Sequence, residues 1–253
     1  MKELPITIYT DHEISKIICY NFAKGSNSLM CHVNNFKDVN KTIATYGLLR
    51  GTGDLLRNVK NFYYIDHGYF KQSKRVFENK RTSIKDLDGY FRIVYNKFIH
   101  NGEGSYPDDR LKKLNLKFSN IKKNGEYIIL SEPSEVMKNF YNVHTWVNDT
   151  IGTIQKFTDR KLIIHNKFSK IPLDNLLDKA WAFVSLQSTA GFKAMIKGVP
   201  AYFTDPTMSN INKIQDIEKN NIDYNIFNNL AYGQWTIKEI ASGEAWKTLT
   251  KEK

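Results

Sequence analysis

Residues 173–206, LDNLLDKAWAFVSLQSTAGFKAMIKGVPAYFTDP, leave a short helical pattern for an apolar run and cross a set of small residues. They then climb an amphipathic stretch and end on Gly-Val-Pro before a second apolar run. AFVSL (182–186) predicts a buried strand, Thr189 to Lys197 a helix, and VPAYF the next strand. A strand, a helix and a strand in that order predict parallel pairing with the helix laid on the sheet. The turn Gln187-Ser188-Thr189-Ala190-Gly191 then falls at the carboxyl edge, where open α/β sheets bind their ligands. Small side chains let a ligand approach the backbone, Ser188 or Thr189 can cap the helix, and its first N–H groups favour a diphosphate. A plain helix cap is the competing reading of the same residues.

The alternation extends in both directions. Upstream lie a strand in GEYIILSEPSEV, with Ser134 placed to cap a helix, a helix through VNDTIGTIQKF, the strand KLIIHNK (161–167) and a helix from Leu173 to Lys179. In the first half, ITIYT (6–10), SLMCHV (28–33), IATYGLL (43–49) and NFYYIDHGYF (61–70) read as strands, and ISKIICYNFA (14–23) as a helix. The polar, glycine-bearing segment 95–120 sets the expected boundary. The predicted fold is therefore α/β, with two Rossmann-like domains, 1–118 and 119–253, facing a cleft, and a basic insertion at 71–110. The final helices are expected to pack back on the first domain.

The chain has 253 residues, 41% of them hydrophobic and 13% aromatic, enough to bury one large or two smaller cores. Charges and a proline occupy the first residues, and no apolar run approaches the roughly 18 residues of a membrane span, so a soluble, cytoplasmic protein is expected. Cys19 and Cys31 are the only cysteines and read as structural thiols. Net charge is +11, and residues 1–118 hold 20 Lys and Arg against 12 Asp and Glu. KQSKRVFENKRTSIK (71–85) concentrates that excess, with aromatics beside it, and suits phosphates and stacked bases unless it is a solvated face.

Residues 125–206 resemble, in the pattern of elements, the donor-binding half of GT-B glycosyltransferases; sugar-nucleotide 2-epimerases share that scaffold. The resemblance implies a nucleotide-sugar donor, a UDP-sugar by expectation, with its phosphates on Ser188, Thr189, Ala190 and Gly191 and on the Ser134 turn. Lys193 stands near the position of an acidic ribose-binding residue in many members. His165 and Lys167, leaving a strand end, are expected to neutralise a diphosphate leaving group. No metal ligand and no obligatory cofactor are assigned. The first domain is then expected to carry the acceptor, with Asp66 as general base and His67 as second candidate. Asp11 and His12 read first as helix caps and second as a base pair. Arg50, Gly51 and Gly53 form an expected acceptor-contacting loop.

More weakly, GTGDLLRNVKNFYYIDHGYF and the short length resemble phage-encoded transferases that glycosylate hydroxymethylated DNA bases. That resemblance implies DNA as acceptor, phosphates held by Lys74, Arg75, Lys80 and Arg81, a flipped-out base and no membrane partner. Two alternatives stand beside it: a glycosyltransferase of bacterial surface polysaccharide, and a non-catalytic nucleic-acid-binding protein. Nothing in the sequence sets the oligomeric state.

Overall fold

A computed structural model describes residues 3–73, 75–78, 81–84 and 87–251, with the backbone alone at 75–78 and 81–84. The chain divides into two compact units, one made of residues 1–100 and 230–253, the other of 101–229.

The first unit opens with β1 (Ile6–Tyr9), α1 (Glu13–Ser26), β2 (Met30–His32), β3 (Ile43–Tyr46), α2 (Thr52–Asn58) and β4 (Phe62–His67). Every strand pairing among β1 to β4 is parallel. Ile14, Ile18 and Phe22 recur at helical spacing on α1 and bury one face against this sheet. Asn27 ends the helix in the left-handed conformation, a role its short polar side chain tolerates. A small antiparallel hairpin follows, β5 (Arg75–Glu78) with β6 (Arg81–Ile84), and then β7 (Tyr90–Tyr95).

β7 corrects the sequence reading. Residues 90–95 were expected inside a basic insertion, yet they pair antiparallel with β4 in the body of the sheet. Their alternation explains it: Phe91 and Ile93 are in the hydrophobic core, while Arg92 points to the other face, opposite Asp66.

The second unit contains α3 (Asp109–Leu114), β8 (Tyr127–Ser131), α4 (Glu135–Tyr141), α5 (Trp146–Ile154), β9 (Lys161–His165), α6 (Leu173–Leu177), β10 (Ala180–Ser185), α7 (Ala190–Ile196) and β11 (Ala201–Phe203). Its sheet runs β11-β10-β8-β9, and every pairing is parallel. All six residues of β10 are buried, as a parallel strand covered on both faces requires.

After α8 (Ile226–Tyr232) the chain rejoins the first unit as β12 (Gln234–Thr236), α9 (Ile237–Ala241) and α10 (Glu244–Lys251). β12 pairs antiparallel with β7, and among the described residues the first sheet runs β12-β7-β4-β3-β1-β2. Trp235, Ile240 and Leu249 enter its core, and the Trp246 ring packs edge-on to Phe22 and Tyr63. The boundary expected near residue 118 thus falls at 100/101, with a second crossing at 229/230.

α1 and α9 approach so closely that a Cβ on Gly25 would lie 1.9 Å from the Ile240 carbonyl oxygen. An unconstrained helix glycine gains up to about 1 kcal/mol on change to alanine. Gly25→Ala is expected instead to lose about 1–3 kcal/mol in urea denaturation, because backbone must move. A stabilised variant would show that the approach is not required. Among the described residues, no helix is long and apolar enough to cross a membrane.

Candidate functional site

Four parallel strands of the second unit deliver their carboxyl ends to one edge. After β8 the Glu132 N–H donates to the His165 carbonyl, tying the ends of β8 and β9, and the Ser134 hydroxyl accepts from the Met137 N–H at 3.4 Å to cap α4. The Glu132 carboxylate accepts from Lys138 Nζ at 2.6 Å and from Asn166 Nδ2 at 2.9 Å. These two hydrogen bonds hold it below the usual carboxylate range.

The turn that decided the fold is more self-contained than its sequence suggested. Ser188 N–H donates to Ser185 Oγ, Ala190 N–H to Ser188 Oγ and Gly191 N–H to the Ser188 carbonyl. The side chain of Thr189 makes no capping bond. The N–H groups expected to cradle a diphosphate are therefore engaged within the chain. Gly191 answers a packing need: a Cβ there would stand 2.6 Å from the Phe203 ring. His165 and Lys167 are likewise occupied close to home. His165 Nε2 donates to the Ile171 carbonyl at 3.2 Å, and the Lys167 ammonium lies 4.8 Å from the centroid of the Phe168 ring. Lys193 pairs with Asp174 at 2.7 Å.

Two features of this edge were not assigned from sequence. Gln187, directly after the last residues of the β10 run, is buried, and its Nε2 has no hydrogen-bond partner among the described residues. Beside the edge lies a cavity of about 800 Å³ whose lining includes Trp146, Leu186, Phe203, Thr204, Asp205 and Asn212. Trp146 Nε1 donates to Thr204 Oγ1 at 2.6 Å and fixes that wall, while the Asp205 carboxylate accepts from Thr207 N–H and Oγ1. The signal was available in the run Phe203-Thr204-Asp205 at the end of β11, but only the fold brings Trp146 to it.

The first unit presents a second carboxyl edge, and here the expected base changes. Asp66 accepts from Arg92 Nη2 and Tyr64 Oη, both at 2.9 Å, and from the His67 N–H at 2.8 Å. Burial alone would raise its pKa, but Arg92, the His67 charge and these hydrogen bonds together hold it below the ordinary value. A carboxylate so paired is a weaker proton acceptor than a free one, which counts against the general-base role expected of Asp66. His67 is 4% exposed, its Nε2 lies 2.9 Å from Tyr46 Oη and its ring packs on Phe91, so no acceptor can reach it from solvent.

His12 emerges instead. It precedes α1 without a side-chain capping bond, so the capping expectation fails. Asp11 does not cap either; its carboxylate is 82% exposed, 3.5 Å from His32 Nε2 and 3.7 Å from Lys16 Nζ. Partial burial, then the nearby Arg50 charge, pushes the His12 imidazole below its ordinary pKa against the opposing pull of Glu13. Arg50 and Gly51 have positive φ in a tight turn locked by Thr52 Oγ1, which donates to the Gly47 and Leu49 carbonyls; Gly53 is buried in the start of α2.

Lys74 and Lys80 lie outside the described residues, as do the side chains of Arg75 and Arg81, whose backbones belong to the hairpin. Asp86-Leu87-Asp88 is an Asp-x-Asp carboxylate pair that the sequence reading passed over, with Asp86 also outside the described residues. Among the described residues, no group of three His, Cys, Asp or Glu is placed to hold a metal ion. Cys19 is buried, donates to the Ile8 carbonyl, and has its pKa pushed up to about 12 by burial, as befits an inert thiol.

No family model matches the chain, and no curated protein matches it. Among solved structures, the β-Kdo 2,7-transferase KpsC of Thermosulfurimonas dismutans superposes on 98% of this chain and 100% of its own, with a TM-score of 0.47 and 9% identity. A likeness at that level fixes neither fold nor activity.

Proposed function

We propose that the chain is a glycosyltransferase that moves a sugar from a nucleotide donor to a hydroxyl acceptor, with the donor bound by the second unit and the acceptor by the first. The observation that carries the reading is the all-parallel sheet of the second unit, where Leu186 after β10 and Phe203 to Asp205 at the end of β11 line a cavity of about 800 Å³ that the ends of β8 and β9 do not reach. Ligands of open parallel sheets bind at that edge, and the volume lies within the range of small-molecule sites. Gln187 Nε2, a buried donor without a partner among the described residues, lies at the same strand end but outside the lining of that cavity. Ser134, His165, Lys167 and the Ser188 to Gly191 turn remain in the donor assignment as the rim of this edge, with their internal bonds giving way to a ligand.

His12 is the proposed base. A neutral imidazole beside Arg50 can take the proton of an acceptor hydroxyl as its oxygen attacks the anomeric carbon. For the acceptor we favour a glycan hydroxyl, as in surface polysaccharide synthesis. The exposed carboxylates Asp11 and Glu13 flank His12 and repel a phosphate backbone. The DNA reading rests on the 71–85 charge run and on the resemblance carried by GTGDLLRNVKNFYYIDHGYF.

A screen of nucleotide sugars with glycan acceptors and with hydroxymethylated DNA, read by mass spectrometry, tests the assignment. Sugar addition to a glycan is the expected result, and addition to DNA would restore the other acceptor. A Thr204→Trp variant, which fills the cavity and breaks the 2.6 Å bond to Trp146, is expected to weaken donor binding about tenfold or more by calorimetry. Unchanged donor affinity would move the donor site elsewhere.

A further inference from the structure

The loop after β9, which also carries Lys167 of the proposed donor rim, presents an exposed apolar and basic surface. Phe168 is 81% exposed, Ile171 53% and Ile164 49%. Lys167 and Lys170 stand among them, both exposed, and no Asp or Glu occurs from 161 to 173. β9 is the edge strand of its sheet, so nothing pairs beyond it among the described residues.

These apolar side chains are held out by a structured turn. Asn166 N–H donates to Ser169 Oγ at 2.9 Å, Phe168 N–H to Asn166 Oδ1 at 3.0 Å, and Ser169 N–H to the Asn166 carbonyl at 3.0 Å. His165 Nε2 closes the loop on the Ile171 carbonyl. The turn is bonded internally while the Phe168 ring, with the Lys167 ammonium 4.8 Å from its centroid, faces water.

We propose that Ile164, Phe168 and Ile171, with Lys167 and Lys170, dock this unit on an anionic lipid bilayer. The chemistry selects that occupant. Phe and Ile enter the boundary between headgroups and acyl chains, while Lys stems lie along the apolar surface and their ammonium groups meet anionic headgroups. Protein interfaces are depleted in lysine, and single-stranded nucleic acid stacks on aromatic rings but gains nothing from two isoleucines. The sequence reading excluded a membrane partner because no amphipathic membrane stretch is evident; a loop of seven residues, 166–172, escapes that search. The proposal does not rest on the transferase reading and survives its failure.

The experiment uses the full chain and vesicles of phosphatidylcholine, with or without one third phosphatidylserine. The chain is expected to sediment with the mixed vesicles and not with the neutral ones. Phe168→Ser combined with Ile171→Ser leaves the charge unchanged and is expected to weaken binding about tenfold or more. Lys167→Gln with Lys170→Gln is expected to weaken it to a similar degree, each lysine contributing roughly fivefold. Circular dichroism of each variant should match the parent, since every changed side chain is exposed. In a Phe168→Trp variant, bilayer-borne bromolipid should quench emission beyond the level in the parent, where Trp146, Trp181 and Trp235 are buried. Equal binding to both vesicle types, no binding to either, or a serine variant that binds like the parent overturns the proposal; the last outcome assigns the affinity to the +11 net charge.

Discussion

Arg92→Met is expected to lose about 3–5 kcal/mol of unfolding free energy, the usual cost of removing one partner of a buried ion pair. Arg92, on β7 opposite Asp66 of β4, is buried and makes three hydrogen bonds and one ring contact. Nη2 meets the Asp66 carboxylate at 2.9 Å, Nη1 the His67 carbonyl at 2.6 Å, and Nε the Phe98 carbonyl at 3.1 Å, while the guanidinium lies 5.6 Å from the centroid of the Tyr64 ring. Methionine keeps much of the volume but strands one carboxylate and two carbonyls. Since domains are stable by about 5–15 kcal/mol, such a loss removes a large part of the whole. Asp66→Asn should cost less, because the amide oxygen can still accept from Arg92 and Tyr64 while only the bond from the His67 N–H is lost, and it should act on stability while turnover of the remaining folded enzyme persists. The pH dependence has a definite sign. The folded-state pKa of Asp66 is lowered, so its contribution is complete above the unfolded value near 4 and fades as pH falls through the folded value. Parent and Asp66→Asn should converge in stability under acid. Urea titrations at neutral and acid pH check both statements; a fully stable Arg92→Met variant would refute the clamp.

His12→Ala is expected to lower turnover about a hundred- to ten-thousandfold, the usual cost of losing a general base, while circular dichroism, melting temperature and donor affinity stay near those of the parent. The side chain makes no capping bond, which is why its loss should spare α1. A base must be neutral to act. With its pKa pushed below the ordinary 6.5 or so, His12 should support full activity at pH 7, and kcat/KM should fall only as pH drops below that lowered value. Removing the nearby charge with Arg50→Gln should move the acid limb of the profile upward. If His12→Ala turns over like the parent, the base is another group; a profile unmoved by Arg50→Gln would sink the electrostatic account.

The parallel strands were legible because each is a short apolar run between turn signals. AFVSL and YIIL are buried within residues of where their composition placed them. β7 was not legible, since Tyr90–Tyr95 alternates across a sheet whose partner strand lies far back in the chain, and the neighbouring lysines disguised it as surface. The return of 230–253 hid for a similar reason: Trp235 and Leu249 announce burial but not against what. For the candidate site, strand ends were readable and side-chain partners were not. Asp66 carried the right residue type at the right strand end, and only pairing with Arg92 occupied it. His12 sat at an equivalent strand end and was set aside as a cap that the helix does not use.

The first unit is interrupted by the whole of the second, and this sets an order on synthesis. A ribosome adding about 5–20 residues per second needs roughly 8–30 s to pass from residue 101 to residue 253. Throughout that time the sheet carrying Ile65, Phe91 and Ile93 lacks Trp235, Ile240, Ala245 and Leu249, the side chains that complete its core. The half of the protein made first is thus finished last, and it spends the interval as a nascent chain with an open apolar face, dependent on whatever shields such faces at the exit tunnel.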